Sequence, residues 1–258
     1  MLWRALPHRI PDRRTLREAA KMVVRAALQK HDLDLVSNPY SSRLVAALSW
    51  FGLDTVLDIG ANVGQYGSSL RSSGFRGQII SCEPLTDAYN RLAHRAAEDP
   101  SWMGVNSAVG AATGTLDINV SANSYSSSIM SMTEAHRRAA PDSEYIGSLR
   151  VPVTTVRDLV AEHALDPRRA LLKIDTQGYE TAVLDGTGGL LGEFAAVQLE
   201  LSLVPLYDGQ ELFPELTGRM AASGYTIYAL DCGFGDRQTG RMLQCDALFV
   251  AEWLLRSK

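Results

Sequence analysis

Four carboxylates, a histidine and one tight turn carry most of the chemistry this sequence can offer. In VLDIGANVGQY, residues 56–66, an apolar run holds Asp58 and then turns through Gly60, Asn62 and Gly64. Glycines let a backbone approach a ligand where a Cβ would collide, and Asn tolerates the left-handed conformation. Glu83 follows Gly60 by 23 residues at the end of a second apolar run. A carboxylate so placed can accept both hydroxyls of a ribose. Asp175 and Glu200 end, or nearly end, two further runs. Acids gathered at one edge of a sheet are expensive unless a ligand, water or metal accounts for them. The turn is not GxGxxG, because Asn62 and Gln65 stand where that pattern has its second and third glycines. A nucleoside with a small charged tail therefore suits it better than a dinucleotide.

These residues need elements to hold them. Apolar runs at DTVLDIG, GQIISCEP, WMGVNSAVG, ALLKIDTQG, AAVQLELS, YTIYALDC and DALFVAEW read as seven strands. Helical patterns at SSRLVAALSWFG, GQYGSSLRSSG, TDAYNRLAHRAAED and ELFPELTGRMAASG separate many of them. Thr86 or Asp87 could cap the third helix. Such alternation predicts an α/β fold, a mostly parallel seven-stranded sheet with helices on both faces. No helix fits between the last two strands, so the last strand is expected to run antiparallel. GTLDINV and LRVPVTTV add two short strands that flank a polar, Ser-rich, lid-like insertion at about 121–148. The expected division is a helical extension over 1–50, broken by a loop at Pro39, and a main domain over 51–258.

Composition narrows the classes. With 258 residues, 46% hydrophobic, the chain suits one large domain. No apolar run spans a bilayer and no leader pattern opens the chain. Cys82, Cys232 and Cys245 are scattered without a CxxC, which fits a reduced, cytoplasmic protein. A net charge of −4 counts against a nucleic-acid binder. Residues 1–30, however, carry eight Lys/Arg against two acids, a net of +6 that leaves −10 for the remainder. Arg14, Arg17, Lys21 and Arg25 recur at helical spacing beside an apolar face of Leu16, Ala20, Val23, Ala27 and Leu28. This basic amphipathic helix could pack on the main domain, touch an anionic membrane surface, or form a dimer interface.

VLDIGANVGQY, CEP, NSAVG, LLKIDTQGYE and DALFV together resemble the FkbM family of class I S-adenosylmethionine-dependent methyltransferases over roughly residues 50–252. LLKIDTQGYE is similar to the family's KIDVEGxE, with Thr176 and Gln177 in place of Val and Glu. The resemblance implies a Rossmann-like fold and S-adenosylmethionine as cofactor. Gly60, Asn62 and Gly64, with Tyr66, would cradle its methionine part, and Asp58 would orient that loop or meet the amino group. Glu83 would hold the ribose. Asn106, Ser107 and Ala108 would lie beside the adenine. Lys173 and Asp175 belong to the catalytic motif, Asp175 also touching the cofactor. Family members methylate hydroxyls, often on sugars of glycolipids, polysaccharides or macrolides.

A sugar hydroxyl is a weak nucleophile, so a base or a metal must assist. Asp175 and His136, which sits in the polar insertion, are the candidate bases. Asp175 and Glu200 could instead bind Mg²⁺ through hard oxygens. Ser124 to Ile129 supplies hydroxyls for cofactor or glycan, and Tyr179, Tyr207 and Trp102 could stack on sugar rings. His94 and His163 read as structural. The expected partner is a saccharide or glycolipid acceptor. The rival readings are an NAD-dependent oxidoreductase and a binding protein that keeps the fold without the chemistry.

Overall fold

The computed structural model describes residues 24, 39–123, 126–236 and 239–257. The basic helix expected within 1–30, together with Ser124 and Tyr125, lies outside the described residues. The chain divides into two compact units, Met1–Pro39 and Tyr40–Lys258, and the second holds the elements below, apart from Pro39 at the start of the first helix.

A seven-stranded sheet forms the centre. Its strands are β1 (Thr55–Ile59), β2 (Gln78–Cys82), β3 (Trp102–Val105), β7 (Ala170–Ile174), β8 (Ala196–Ser202), β9 (Tyr225–Cys232) and β10 (Gln244–Ala251). They lie in the order β3-β2-β1-β7-β8-β10-β9. The pairs β1–β2, β1–β7, β2–β3 and β7–β8 are parallel, and β10 runs antiparallel to both β8 and β9. The antiparallel last strand expected from the missing helix is therefore present, wedged between β8 and β9. Every residue of β1 and β7 is buried. Central strands covered on both faces need mainly apolar sequences, and the one charge in each, Asp58 and Lys173, is paired with the other.

WMGVNSAVG does not make one strand. It splits at Asn106 and Ser107, with β3 in the large sheet and β4 (Ala108–Val109) in a second, three-stranded sheet of order β4-β6-β5. There β5 (Gly114–Ser121) pairs antiparallel with β6 (Tyr145–Thr154). The helix Pro39–Phe51 starts before the expected point, with Pro39 opening it rather than lying in a loop. It sends Leu44, Ala47, Leu48 and Phe51 into the main core. The helix Thr86–Ala96 is preceded by Leu85 and has no side-chain cap, so neither Thr86 nor Asp87 plays that part. Two short helices, Val156–Glu162 and Glu180–Asp185, had no clear sequence pattern.

The insertion between β5 and β6 folds back over the sheet edge. It carries the helix Glu134–Ala139 and pairs Met132 with Tyr207. Met132 joins Leu206, Tyr207 and Leu243 in a separate small core. Ser126, Ser128 and Ser143 are buried, so this Ser-rich stretch is packed structure. No helix among the described residues is long and apolar enough to cross a membrane.

Candidate active site

Strand register builds the site in two tiers. In the lower tier, Asp58 pairs in register with Ser81 on β2 and Lys173 on β7, and Lys173 with Gln198 on β8. Ser81 donates to Asp58 Oδ2 at 3.1 Å and accepts from the Trp102 indole at 3.0 Å. Lys173 Nζ stands 3.0 Å from Asp58 Oδ1 and 3.6 Å from Asp175 Oδ2. It also donates to the carbonyl of Gly60 at 3.2 Å. The Tyr66 hydroxyl donates to Gln198 at 2.7 Å, with its ring 5.1 Å from the Lys173 ammonium. Burial works against the Lys173 charge, but Asp58 and Asp175 outweigh it and hold the pKa above that of an ordinary lysine. Lys173 is thus a cation locked under the glycine turn. Neither it nor Asp58 nor Tyr66 lines the cavity above.

The upper tier lies two positions on, hence on the same face. Ile59, Cys82, Ile174 and Leu199 pair across the four strands. The residues that follow them are Gly60, Glu83, Asp175 and Glu200, and all four line one cavity of about 370 Å³. Asn62, Ser107 and Ala108 line it as well, as does His136 from the insertion. Register alone explains why acids so distant in sequence share a wall.

Glu83 accepts from the backbone N–H of Asn62 at 2.8 Å and of Leu85 at 2.9 Å, one on each oxygen. Burial pushes its pKa up to about 7, against the pull of those two donors. Asn62 has the positive φ expected of it, 48°. Gly60 lines the cavity, and both glycines also lie close against the chain itself. A Cβ on Gly60 would sit 1.8 Å from the Asp175 carbonyl oxygen, and one on Gly64 would strike Leu92 and Trp102. Crowding by the chain itself demands both. Gly64 does not line the cavity, and Asn106 braces it from outside by donating to the carbonyls of Glu83 and Pro84. Ser107 donates to the carbonyls of Ala108 and Pro152, tying the small sheet to this wall.

The far wall is organised by Gln177, which the sequence marked only as a departure from KIDVEGxE. Its backbone is left-handed, φ 56°, a strained state that its contacts fix. Its amide nitrogen donates to Asp175 Oδ1 and Glu200 Oε2, 2.8 Å each. Its amide oxygen accepts from the Tyr207 hydroxyl at 2.7 Å, and its backbone carbonyl from Ser128 at 2.6 Å. Every polar atom of that side chain is used. Gln244 donates to the same oxygen of Glu200 at 2.7 Å. Burial, then Asp175 and other nearby acids, hold the Glu200 pKa well above the usual carboxylate range. Glu180 clasps the loop from below, accepting from the backbone N–H groups of Thr176 and Gly178.

The Mg²⁺ expectation at Asp175 and Glu200 is not supported. The amide of Gln177 already bridges the two, and among the described residues no group of three or more His, Cys, Asp or Glu is placed to hold a metal ion. The stacking expectation also changes. Tyr207 is fully buried, Trp102 is a core residue, and Tyr179 packs against Gly110. Phe234, from the β9–β10 connection, is the aromatic residue that does line the cavity.

His136 is only 3% exposed, and among the described residues neither ring nitrogen has a hydrogen-bond partner. Its ring meets Tyr207 edge-on, centroids 5.0 Å apart, and Phe234 at 6.0 Å. Burial, helped by Arg137, lowers its pKa below the ordinary histidine value. A buried imidazole without a partner is rare enough to require an explanation. By contrast His163, which also has an unpartnered ring nitrogen, does not line this cavity. Gln244 and Phe234 were missed, and Gln177 stood only as a departure from the motif, because each acts through contacts between distant segments that linear spacing does not encode.

None of the curated proteins matches the chain. Among solved structures it is similar to magnesium protoporphyrin IX methyltransferase from Synechocystis PCC 6803 with bound SAM, at 11% identity, over 95% of this chain and 100% of that one, TM-score 0.44. It is similar to the 1,6-didemethyltoxoflavin-N1-methyltransferase of Burkholderia thailandensis at 11% identity, covering 95% and 93%, TM-score 0.42. For the bifunctional kinase-methyltransferase WbdD the identity is 16%, the cover 83% and 38%, and the TM-score 0.45. The Methyltransferase FkbM domain matches residues 58–227. That span holds the glycine turn, Glu83, His136 and the Lys173–Glu180 motif and is more than half of the chain, which therefore belongs to the FkbM methyltransferase family.

Proposed function

We propose that the protein is an S-adenosylmethionine-dependent O-methyltransferase whose acceptor is a sugar hydroxyl of a glycolipid, polysaccharide or glycosylated natural product. The observation that carries this reading is His136, a buried imidazole with both nitrogens unpartnered in the cavity that Glu83 and Asp175 also line. The residues fit the cofactor. Glu83 keeps lone pairs for two ribose hydroxyls beyond those its backbone donors use. Gly60 and Asn62 form the turn on which the methionine part would rest, and Ser107 and Ala108, which line the same cavity, would lie beside the adenine. When bound, the sulfonium supplies an already activated methyl group.

The protein then has two tasks. It aligns the acceptor oxygen with that methyl group, which proximity and orientation can accelerate strongly. It also removes the hydroxyl proton. His136 suits that role, since burial favours its neutral form, which can accept a proton. Asp175 is held between Gln177 and Lys173 and is better suited to orienting the acceptor. An NAD-dependent oxidoreductase does not agree with the family membership, and a protein without chemistry leaves His136 unexplained. The basic stretch 1–30 suits contact with an anionic membrane that presents a lipid-linked acceptor.

The test is transfer of labelled methyl groups from S-adenosylmethionine to a panel of glycosides and lipid-linked saccharides. His136→Ala should lower transfer by about 10²- to 10⁴-fold while leaving S-adenosylhomocysteine affinity unchanged. Failure of the wild-type protein to bind S-adenosylhomocysteine would remove the reading altogether.

A further inference from the structure

The cavity has an electrostatic character of its own. Three carboxyl groups, Glu83, Asp175 and Glu200, line the cavity, and among the described residues no Lys or Arg does. The nearest ammonium, Lys173, is buried beneath the wall and bound to Asp58 and the Gly60 carbonyl. A site built for phosphate or carboxylate would place Arg, Lys or a run of free backbone N–H groups on its surface.

Asp175 and Glu200 are also held as a pair. They follow Ile174 and Leu199, which are register partners on adjacent strands, so their backbones stand about 4.8 Å apart. One oxygen of each is fixed by the amide of Gln177, and that of Glu200 by Gln244 as well. The other oxygen of Glu200 takes no hydrogen bond from the described residues, and Asp175 keeps a third of its side chain exposed. The buried His136, with no hydrogen-bond partner for its ring among the described residues, lines the same cavity. Hydrogen-bond acceptors thus remain on three residues of the cavity, and among the described residues no Lys or Arg lines it to bind an anion.

We infer that Asp175 and Glu200 form a clamp for two adjacent hydroxyls of an uncharged sugar, beside the hydroxyl offered to His136, and that the cavity rejects phosphorylated or carboxylated sugars. This deepens the methyltransferase reading and rests on it only for the word acceptor. It also orders the reactions. A nucleotide-activated sugar brings its diphosphate with it, so methylation follows the glycosyl transfer that releases the nucleotide.

Saturation-transfer NMR on the full chain, with and without S-adenosylhomocysteine, tests the inference. The probes are methyl glucoside, methyl mannoside and methyl rhamnoside, with glucose phosphate and glucuronate as anionic counterparts. The neutral glycosides, one or more of them, should take up saturation and the anions should not. Glu200→Gln should weaken glycoside binding about tenfold, the size of one hydrogen bond, because its amide oxygen would take the Gln177 and Gln244 donors and leave an N–H group where the free acceptor was, with S-adenosylhomocysteine affinity reporting that the variant is folded. Anions that bind as well as the glycosides, glycosides that ignore Glu200→Gln, or no glycoside binding at all would each overturn it. Loss of S-adenosylhomocysteine binding in the wild type would instead remove the methyltransferase reading, because the preference for neutral sugars is also measured without cofactor.

Discussion

Glu83 shows how one residue couples burial to ligand binding. Its pKa of about 7 lies above the usual 4.5, so the folded protein takes up a proton there that the unfolded chain does not. The sign follows from linkage. Its contribution to stability is fully present below about pH 4.5 and is lost as pH rises through about 7. Ligand binding runs the other way, because a ribose hydroxyl donates to the ionised form. S-adenosylhomocysteine affinity should therefore rise between about pH 6 and pH 8, approaching tenfold per unit on the acid side. Calorimetric titration of the wild type against Glu83→Gln checks this, since the variant should bind more weakly and without that slope. His136 should act at lower pH. Its lowered pKa places the acid limb of the transfer rate below the ordinary histidine value, apart from the binding limb set by Glu83.

At the scale of elements, the turn after β1 and the loop after β7 are fitted to each other. Gly60 at φ 80° lies against the Asp175 carbonyl, so the glycine is what lets β1 and β7 end side by side. Gly52 is a natural control, since it has φ 74° but nothing within 4 Å of a Cβ. Gly52→Ala should cost about 1–2 kcal/mol, the backbone term alone. Gly60→Ala adds a collision with backbone and should cost about 4 kcal/mol or more, with loss of S-adenosylhomocysteine binding. Urea unfolding of the two variants separates strain from collision. The loop after β7 is fixed more widely, since Glu180 holds its backbone, Gln177 its acids, and Ser128 joins it to the insertion. The site is thus assembled from both sheets.

For the whole molecule, the buried pair of Asp58 and Lys173 is the electrostatic joint between β1 and β7. Breaking such a pair leaves an uncompensated charge in the core, whereas replacing both partners is often nearly neutral. Lys173→Met should destabilise the protein by about 3–5 kcal/mol. Adding Asp58→Asn should recover a large part of that loss. A thermal or urea unfolding series on the three variants would measure it. If the single variant lost methyl transfer at full stability, Lys173 would be acting in the chemistry and not as the joint described above.

Much of this architecture was legible in the chain. The mainly apolar runs at Thr55–Ile59 and Ala170–Ile174, each with one charged residue, suit strands covered on both faces, and the missing helix before Gln244–Ala251 forces an antiparallel partner. The carboxyl ends of those runs located Gly60, Glu83, Asp175 and Glu200, because where a strand ends is a local property. What the sequence could not decide was the partner of each group. Lys173 and Asp58 are 115 positions apart and meet only through register. Gln177 displaced the expected metal because folding aimed its amide between two acids, and Tyr207 left the list of stacking residues because the insertion buried it. Local propensity and patterning set the elements, while burial and hydrogen-bond partners arise between distant segments and exist only once the chain has folded.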